Sequence, residues 1–398
     1  MSLIDLLDNN IYLDKFIIHK TKNTFSKKEI KDYQKLKDDQ NVKQIIKKIQ
    51  NNNYVFSIPK KTIINKIKKN KKRIVYQYNK EETYILKYLT FLLYKYDYLF
   101  TPNLYSFRQN KSVKNAINDL IKIKPNQKYG YKLDIENYFN SVDTKILLKD
   151  LKKDLDDQKL YKLFKLLLEN KQIIYKDEII NEEKGIMAGV PISSFLANYY
   201  LKDMDKYFYD NNINYFRYAD DIIIFSDNQD NLNKYITIIK EFLNTKKLNI
   251  NKEKEIFYLP NNKIEYLGFS IQSNEIDISS NSLTKIKKKI KRSSKSIRRW
   301  MLKKNVKQES AIKTMTKKFN KKFFGKEENE LSWKYWYFPT INTDKSLKII
   351  DEYMQQELRY LITGKHNKKN YEKVPYELLK KCNYKSLINE YYKDKKKK

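Results

Sequence analysis

The sequence predicts an α+β fold in which a small antiparallel sheet sits among helical regions. Two segments, YGYKLDI and FRYADDIIIF, are short, aromatic and β-branched, which is the texture of strands. The second carries Asp220-Asp221 between apolar flanks, and such a segment folds naturally as a hairpin with both acids at its tight turn. Around these strands the periodicity is helical. Tyr84, Leu86, Leu89, Leu92 and Leu93 recur at helical spacing, and residues 151–172 and 228–247 read as helices. A strongly basic helix, TKIKKKIKRSSKSIRRWMLKKN, begins near residue 280. Residues 1–50 are polar and lysine-rich with weak helical periodicity. The tail from 328 is helical and aromatic and ends in KDKKKK, and no internal repeat is present.

With 398 residues the chain can form two or three packed subdomains. Its 83 Lys and Arg against 48 Asp and Glu leave a net charge of +35, a field that favours polyanions, nucleic acid first among them. The chain is also crowded with Lys, Asn, Ile and Tyr, as an AT-rich genome dictates, so the charge alone does not decide the partner. One cysteine, Cys382, and two histidines, His19 and His366, exclude a zinc finger and any disulfide within the chain. The N-terminal MSLIDLLDNN bears acids where a secretion signal would bear bases. The apolar stretch over residues 86–100 is broken by Lys87, Lys95 and Asp97. No membrane span is expected, and the cytoplasm is the default location.

The acids carry the chemistry. Two adjacent carboxylates inside apolar strands are costly unless a cation neutralises them, and Mg²⁺ takes a few carboxylates together with phosphate oxygens. Tyr131-Lys132-Leu133-Asp134-Ile135 places a third acid near the end of a strand. Asp134, Asp220 and Asp221 on neighbouring strands can hold two Mg²⁺ ions, one activating a 3′-hydroxyl and one stabilising a leaving pyrophosphate. Glycine adds a further marker. Of only six, Gly185, Gly189 and Gly268 fall in two short motifs and Gly130 lies just before a third, KLDIENYFNSVD.

These motifs resemble those of reverse transcriptases. KLDIENYFNSVD (132–143) resembles the first catalytic motif, and Tyr218-Ala219-Asp220-Asp221 resembles the YADD box. GIMAGVPISSFLANYYL (185–201) resembles the motif between them, and EYLGF (265–269) resembles the primer grip. The match runs across roughly residues 55–275. Tyr105-Ser106-Phe107-Arg108 and Ala116-Ile117 resemble the bacterial, group II intron-like branch. Met187-Ala188 stand where intron enzymes usually carry Pro-Gln. G-x-x-x-G-x-P-x-S-x-F-L-A-N and the C-terminal Trp336-Tyr337-Phe338-Pro339 look more like the bacterial unknown-group, defence-associated enzymes.

The resemblance implies a right-hand polymerase. Residues 1–130 form an N-terminal region and α-rich fingers, 131–277 a palm with a fingers insertion at 144–183, and 278–398 a basic α-helical thumb with the tail. It implies RNA-directed DNA synthesis with two Mg²⁺ ions on Asp134, Asp220 and Asp221, Mn²⁺ being a substitute. Phe139 is implied as the steric gate against a ribose 2′-hydroxyl, with Gly189 and Ser193 at the template and incoming base. Lys254 is implied as the general acid near the triphosphate, with Lys252 as a rival, and Arg73 as the fingers grip on it. A second basic group from around 66–72 assists Arg73. The expected partners are a structured non-coding RNA template, dNTPs and the DNA product, in antiviral defence, and a homo-oligomer is compatible with this. Three other readings stand beside it: a retron or intron-type enzyme, protein-primed or template-independent DNA synthesis, and a non-catalytic RNA-binding scaffold.

Overall fold

The Asp-Asp pair of FRYADDIIIF lies at a hairpin turn. In the computed structural model, which describes residues 1–22, 24, 26–65, 72–325 and 332–396, the chain divides by its internal contacts into two units. The first comprises Met1–Ala116 with Lys128–Leu259, and the second Ile117–Gln127 with Pro260–Lys398. Strands are numbered here in chain order.

In the first unit, β3 (Tyr129–Asp134), β6 (Asn214–Tyr218), β7 (Asp221–Ser226) and β8 (Ile256–Tyr258) form an antiparallel sheet in the order β6-β7-β3-β8. Strand β7 is central, and Ile222 to Ser226 are buried along its whole length, so it is covered on both faces. This explains why DIIIF is an unbroken apolar run without alternation. The helices Lys202–Asp210 and Gln229–Thr245 pack on this sheet. Helices Asn10–Lys22, Lys27–Lys35, Gln40–Gln50 and Lys80–Leu92 pack together over the buried Phe16, Tyr33, Ile46 and Leu89.

The regions expected as α-rich fingers contain a second sheet, which sequence periodicity did not show. Strands β1 (Lys60–Asn65) and β2 (Lys72–Gln77) form an antiparallel pair, and β4 (Gln172–Tyr175) with β5 (Glu178–Asn181) forms another. Joined through a parallel β1–β4 contact, they stand in the order β2-β1-β4-β5. These strands are largely exposed, with Lys60, Lys61, Lys72 and Arg73 at the ends of β1 and β2, so they lack a clean period of two. The available signal was IIYKDEII, in which Lys176 and Asp177 both adopt the left-handed conformation of a two-residue hairpin loop.

Residues 151–172, expected as one helix, are two. Thr144–Asp154 ends, Asp157 caps a new helix at Gln158–Glu169, and β4 has begun by residue 172. The Asp157 carboxylate accepts from the Leu160 N–H at 3.0 Å and also from Leu3 N at 2.7 Å, with Ser2 Oγ as a third donor. The break therefore ties the start of the chain to this helix.

In the second unit, β9 (Ile264–Tyr266), β10 (Phe269–Gln272) and β11 (Glu275–Ile278) form a meander. The EYLGF segment makes its first turn, where Leu267 at φ 47° and Gly268 at φ 90° fit a type I′ loop. The unit boundary at 259/260 falls inside the range expected for the palm. The basic helix expected near 280 runs over Ser280–Lys303, with Ser279 as its cap, and buries Ile286, Ile290, Ile297 and Met301 against the helix Lys345–Thr363 and its neighbour Gln308–Phe324. In Lys345–Thr363, Asp351 is buried. It accepts from the Leu387 and Ile388 N–H groups at 2.8 and 3.1 Å and from the Tyr384 and Ser386 hydroxyls, anchoring the last helix, Leu387–Lys395. No helix among the described residues is long and apolar enough to cross a membrane.

Asp157→Ala should lower stability by about 1–2 kcal/mol, because it removes the helix cap and the anchor of Leu3 together. Urea unfolding monitored by circular dichroism reads this; a midpoint equal to the parent's would show that the Asp157 contacts contribute nothing.

Candidate active site

Strand register brings the three acids together. Asp134 stands opposite Asp221 across β3–β7, and Tyr218 pairs with Asp221 across β6–β7, leaving Ala219 and Asp220 as a two-residue loop. The carboxylate oxygens of Asp134, Asp220 and Asp221 lie within 4.8 Å of one another, and among the described residues this is the one group of three such ligands. Asp134 is buried and the other two are partly so. The Asp220 carboxyl is pushed up to about 6, first by burial, then by the charges of Asp134 and Asp221, with Lys254 opposing. This is the electrostatic cost of three crowded acids, and a cation would relieve it. An all-oxygen set of this kind fits a hard divalent ion.

Lys254 places its Nζ 2.6 Å from Asp134 Oδ1. The local backbone explains why it is Lys254 and not Lys252. The Asn251 N–H donates to the Asp134 carbonyl at 2.8 Å, and the Lys254 N–H donates back to the Asn251 carbonyl at 2.8 Å. The short 3₁₀ turn Lys252–Lys254 therefore presents its last residue to the acids, whereas Lys252 lines a separate cleft with Glu136, Lys240 and Glu253.

The acidic turn is held from behind. Ala219 has φ 58°, a conformation that non-glycine residues seldom take. Its N–H donates to Ser106 Oγ at 2.9 Å, and its carbonyl accepts from Arg217 Nη1 at 3.2 Å. The Ile135 N–H donates to the Asp220 carbonyl at 3.2 Å. Arg217 is fully buried and forms a two-pronged ion pair with Asp205, itself 1% exposed. Arg217 also donates to the Asn198 carbonyl at 3.1 Å, and the Asn198 side chain exchanges hydrogen bonds with Ser106. Tyr215 donates to Asp205 at 3.0 Å. Ser106, Asn198 and Arg217 stand within motifs read from sequence but were given no role there, and Asp205 was not singled out. The available signal was an arginine inside an otherwise apolar and aromatic strand, which requires a buried partner.

A second cluster surrounds Phe139. This residue lies on the one-turn helix Tyr138–Ser141, half-buried, with its ring edge-on to Phe107 and Tyr138. The loop 185–189 folds against it. The Ile186 N–H donates to the Phe139 carbonyl at 2.9 Å, and the Ala188 N–H to Asn140 Oδ1 at 3.1 Å. Gly185 (φ 54°) is obligatory here, since a Cβ would meet the Phe139 carbonyl oxygen at 2.4 Å. Gly189 (φ 101°) admits the close approach of β2, its missing Cβ lying 3.0 Å from the Tyr76 carbonyl oxygen and 3.3 Å from Val75. Tyr76 N–H donates to the Ala188 carbonyl at 2.8 Å.

Arg73 is exposed on β2, two residues from Val75 and so on the strand face that meets Gly189. Of the basic residues around 66–72 expected to assist it, those at 66–71 lie outside the described residues, and Lys72 is exposed at the start of β2. Ser193, expected at the template and base, is 1% exposed and donates its hydroxyl to the Ile186 and Met187 carbonyls, the latter at 2.9 Å. Its side chain staples the 185–189 loop and presents no contact surface.

Two measurements probe this frame. Arg217→Met should cost about 3–5 kcal/mol in urea unfolding, because it leaves the Asp205 carboxylate buried and unpaired, and adding Asp205→Leu should recover most of that loss; losses that simply add would show the two side chains to be independent. The second concerns Asp220. Its native pKa lies above the ordinary value, so the folded state holds the proton more tightly, and metal-free protein loses stability as pH rises from about 4 to about 6. Asp220→Asn should therefore melt higher than the parent at pH 7.5 without divalent metal, by on the order of 1–3 kcal/mol, with the gap closing near pH 4. Added Mg²⁺ or Mn²⁺ should stabilise the parent and do less for the variant. A variant no more stable than the parent at pH 7.5 would refute the crowding.

Residues 58–271 match the model of the reverse transcriptase (RNA-dependent DNA polymerase) family. No curated protein matches the chain. Solved structures similar to it include apo telomerase from Candida tropicalis, at 13% identity and TM-score 0.49 over 82% of this chain and 59% of that one. Telomerase from Candida albicans in complex with the TWJ fragment of telomeric RNA matches at 13% identity and TM-score 0.45, over 84% and 64%. The Candida tropicalis telomerase truncated from its C-terminal domain matches at 15% identity and TM-score 0.44, over 56% and 55%. The chain thus spans between 55% and 64% of the length of these proteins. With the family motifs matched over more than half of its length, on an α+β fold with an antiparallel sheet carrying the three acids, the chain belongs to the reverse transcriptase family.

Proposed function

We propose that this chain is an RNA-directed DNA polymerase that holds two Mg²⁺ ions on Asp134, Asp220 and Asp221, with Mn²⁺ as a substitute. The observation that carries the reading is the convergence of these three acids from β3 and the β6–β7 turn to within 4.8 Å, backed by a dedicated buried scaffold. Divalent cations held there supply the positive charge needed for an in-line displacement of pyrophosphate. In this reading Arg73 grips the triphosphate of a dNTP with its guanidinium, and Phe139 walls off the ribose 2′-hydroxyl. The 185–189 loop, stapled by Ser193, shapes the floor beneath the base pair, with Gly189 keeping β2 close. Lys254, poised on Asp134, is the proton donor to the leaving pyrophosphate. A non-catalytic scaffold would have no use for such an arrangement of repelling acids.

We further propose that the template is a dedicated structured non-coding RNA, in bacterial anti-phage defence. The defence setting is supported by the resemblance of the G-x-x-x-G-x-P-x-S-x-F-L-A-N motif and of the C-terminal Trp336-Tyr337-Phe338-Pro339. The RNA is supported by the breadth of the basic surface. The helix Ser280–Lys303 carries no acid and exposes Lys288, Lys291, Arg292, Lys295 and Arg299, as a thumb gripping phosphates would. The net charge of +35 exceeds the need of a short primer–template.

Asp220→Ala or Asp221→Ala should reduce primer extension on an RNA template by at least about 10³-fold with the circular dichroism spectrum unchanged; extension at the parental rate would end the polymerase reading. RNA copurified from the native locus at moderate salt should be dominated by one species encoded beside the gene. A featureless sample of cellular RNA would retire the dedicated template and leave the polymerase reading standing.

A further inference from the structure

We propose that Phe107 is a specificity-determining residue whose ring braces Phe139 and thereby fixes the wall against the ribose 2′-hydroxyl. The inference rests on the reading of Phe139 as the sugar gate. The Phe107 and Phe139 rings meet edge to face, with centroids 6.1 Å apart and planes at 88°. Phe139 needs such support. It sits on a single helical turn, Tyr138–Ser141, too short to hold a side chain rigidly by itself, and it is only half-buried. Tyr138 supports it from a second side at 5.9 Å and is itself locked, with its hydroxyl donated to the Ala197 carbonyl at 2.5 Å.

The backbone of Phe107 is the second, independent observation. Its φ is 54°, a left-handed conformation that a bulky residue rarely adopts and that is found preferentially at functional sites. Both neighbours are pinned. Ser106 is bonded to the acidic turn through the Ala219 N–H and to Asn198. Arg108 clamps Asp97 with two bonds of 2.8 Å and donates to the Thr101 and Leu104 carbonyls at 2.6 and 3.2 Å. Between these fixed points the ring is 43% exposed and lines a small cavity with Ser194 and Phe195. A glycine would take this conformation without strain, so what the phenylalanine adds is the contact made by its ring. The YSFR segment thus bears on the acids through Ser106 and on the sugar wall through Phe107.

The test compares kcat/KM for a dNTP with that for the matching rNTP opposite one template base. Phe107→Gly should shift the ratio toward the rNTP by roughly 2- to 10-fold, the range of a single aromatic edge contact. Phe107→Tyr preserves the edge and should retain the parental ratio. In a Phe139→Ala background, Phe107→Gly should add no further change. Because glycine relieves the backbone, Phe107→Gly should melt at or above the parent, which separates the effect from loss of fold. An unchanged ratio in Phe107→Gly, while Phe139→Ala shifts it, would overturn the inference and leave the gate in place. An equal fall in dNTP and rNTP use would also overturn it. An unchanged ratio in Phe139→Ala would remove the gate and the inference with it.

Discussion

The buried pair Arg217–Asp205 is the constraint on which the acidic site depends. Two fully desolvated charges are tolerated only when each satisfies the other and their remaining donors and acceptors are filled. Here they are filled by groups that belong to the site. Arg217 donates to the carbonyl of Ala219, one residue before Asp220, and to the carbonyl of Asn198, while Asp205 accepts from Tyr215. Asn198 in turn holds Ser106, and Ser106 receives the Ala219 N–H. The turn is therefore gripped at both backbone polar groups of its strained residue. Without that grip an alanine at φ 58° would relax, and three carboxylates would be free to move apart.

Repulsion among the acids and the grip on their turn are opposed by design of the fold. Register alone sets Asp134 opposite Asp221, and the two-residue loop adds Asp220, so the sheet cannot separate them without breaking ladder bonds. Burial first, and the charges of Asp134 and Asp221 after it, push the Asp220 carboxyl up to about 6. Lys254 supplies one compensating charge and is 52% exposed, so the compensation is partial and leaves room for a cation.

The strands YGYKLDI and FRYADDIIIF were legible because burial on both faces leaves long apolar runs, and the acids stood out within them. The basic helix was legible because Ile286, Ile290 and Ile297 keep helical spacing through the charge. The β2-β1-β4-β5 sheet was not, since its strands are largely exposed, Lys60 and Lys61 put a lysine on each face of β1, and nothing distinguishes KKTIIN from a polar helix turn. The staple made by Ser193 was hidden for a related reason: a motif shows which residue is present and not whether its hydroxyl faces outward or back onto its own loop. The role of Asp205 was hidden because its partner lies twelve residues away, across a helix-to-strand connection.

The same logic couples the proposed sugar wall at Phe139 to the β2-β1-β4-β5 sheet. The 185–189 loop is bonded to Phe139 and Asn140 on one side, to Tyr76 of β2 on another, and to Ser193 from below. Two glycines remove the side chains that would hold these parts apart. Strand β2, with Arg73 at its outer end, the Phe139 helix and the loop are thus cross-linked by backbone hydrogen bonds and not by side-chain packing alone. Backbone bonds at fixed carbonyls tolerate little lateral slip, so a displacement of β2 must carry the 185–189 loop and the ring of Phe139 with it. In the proposed reading, a triphosphate drawing on Arg73 would then act on the same hydrogen-bonded group that carries the wall at Phe139.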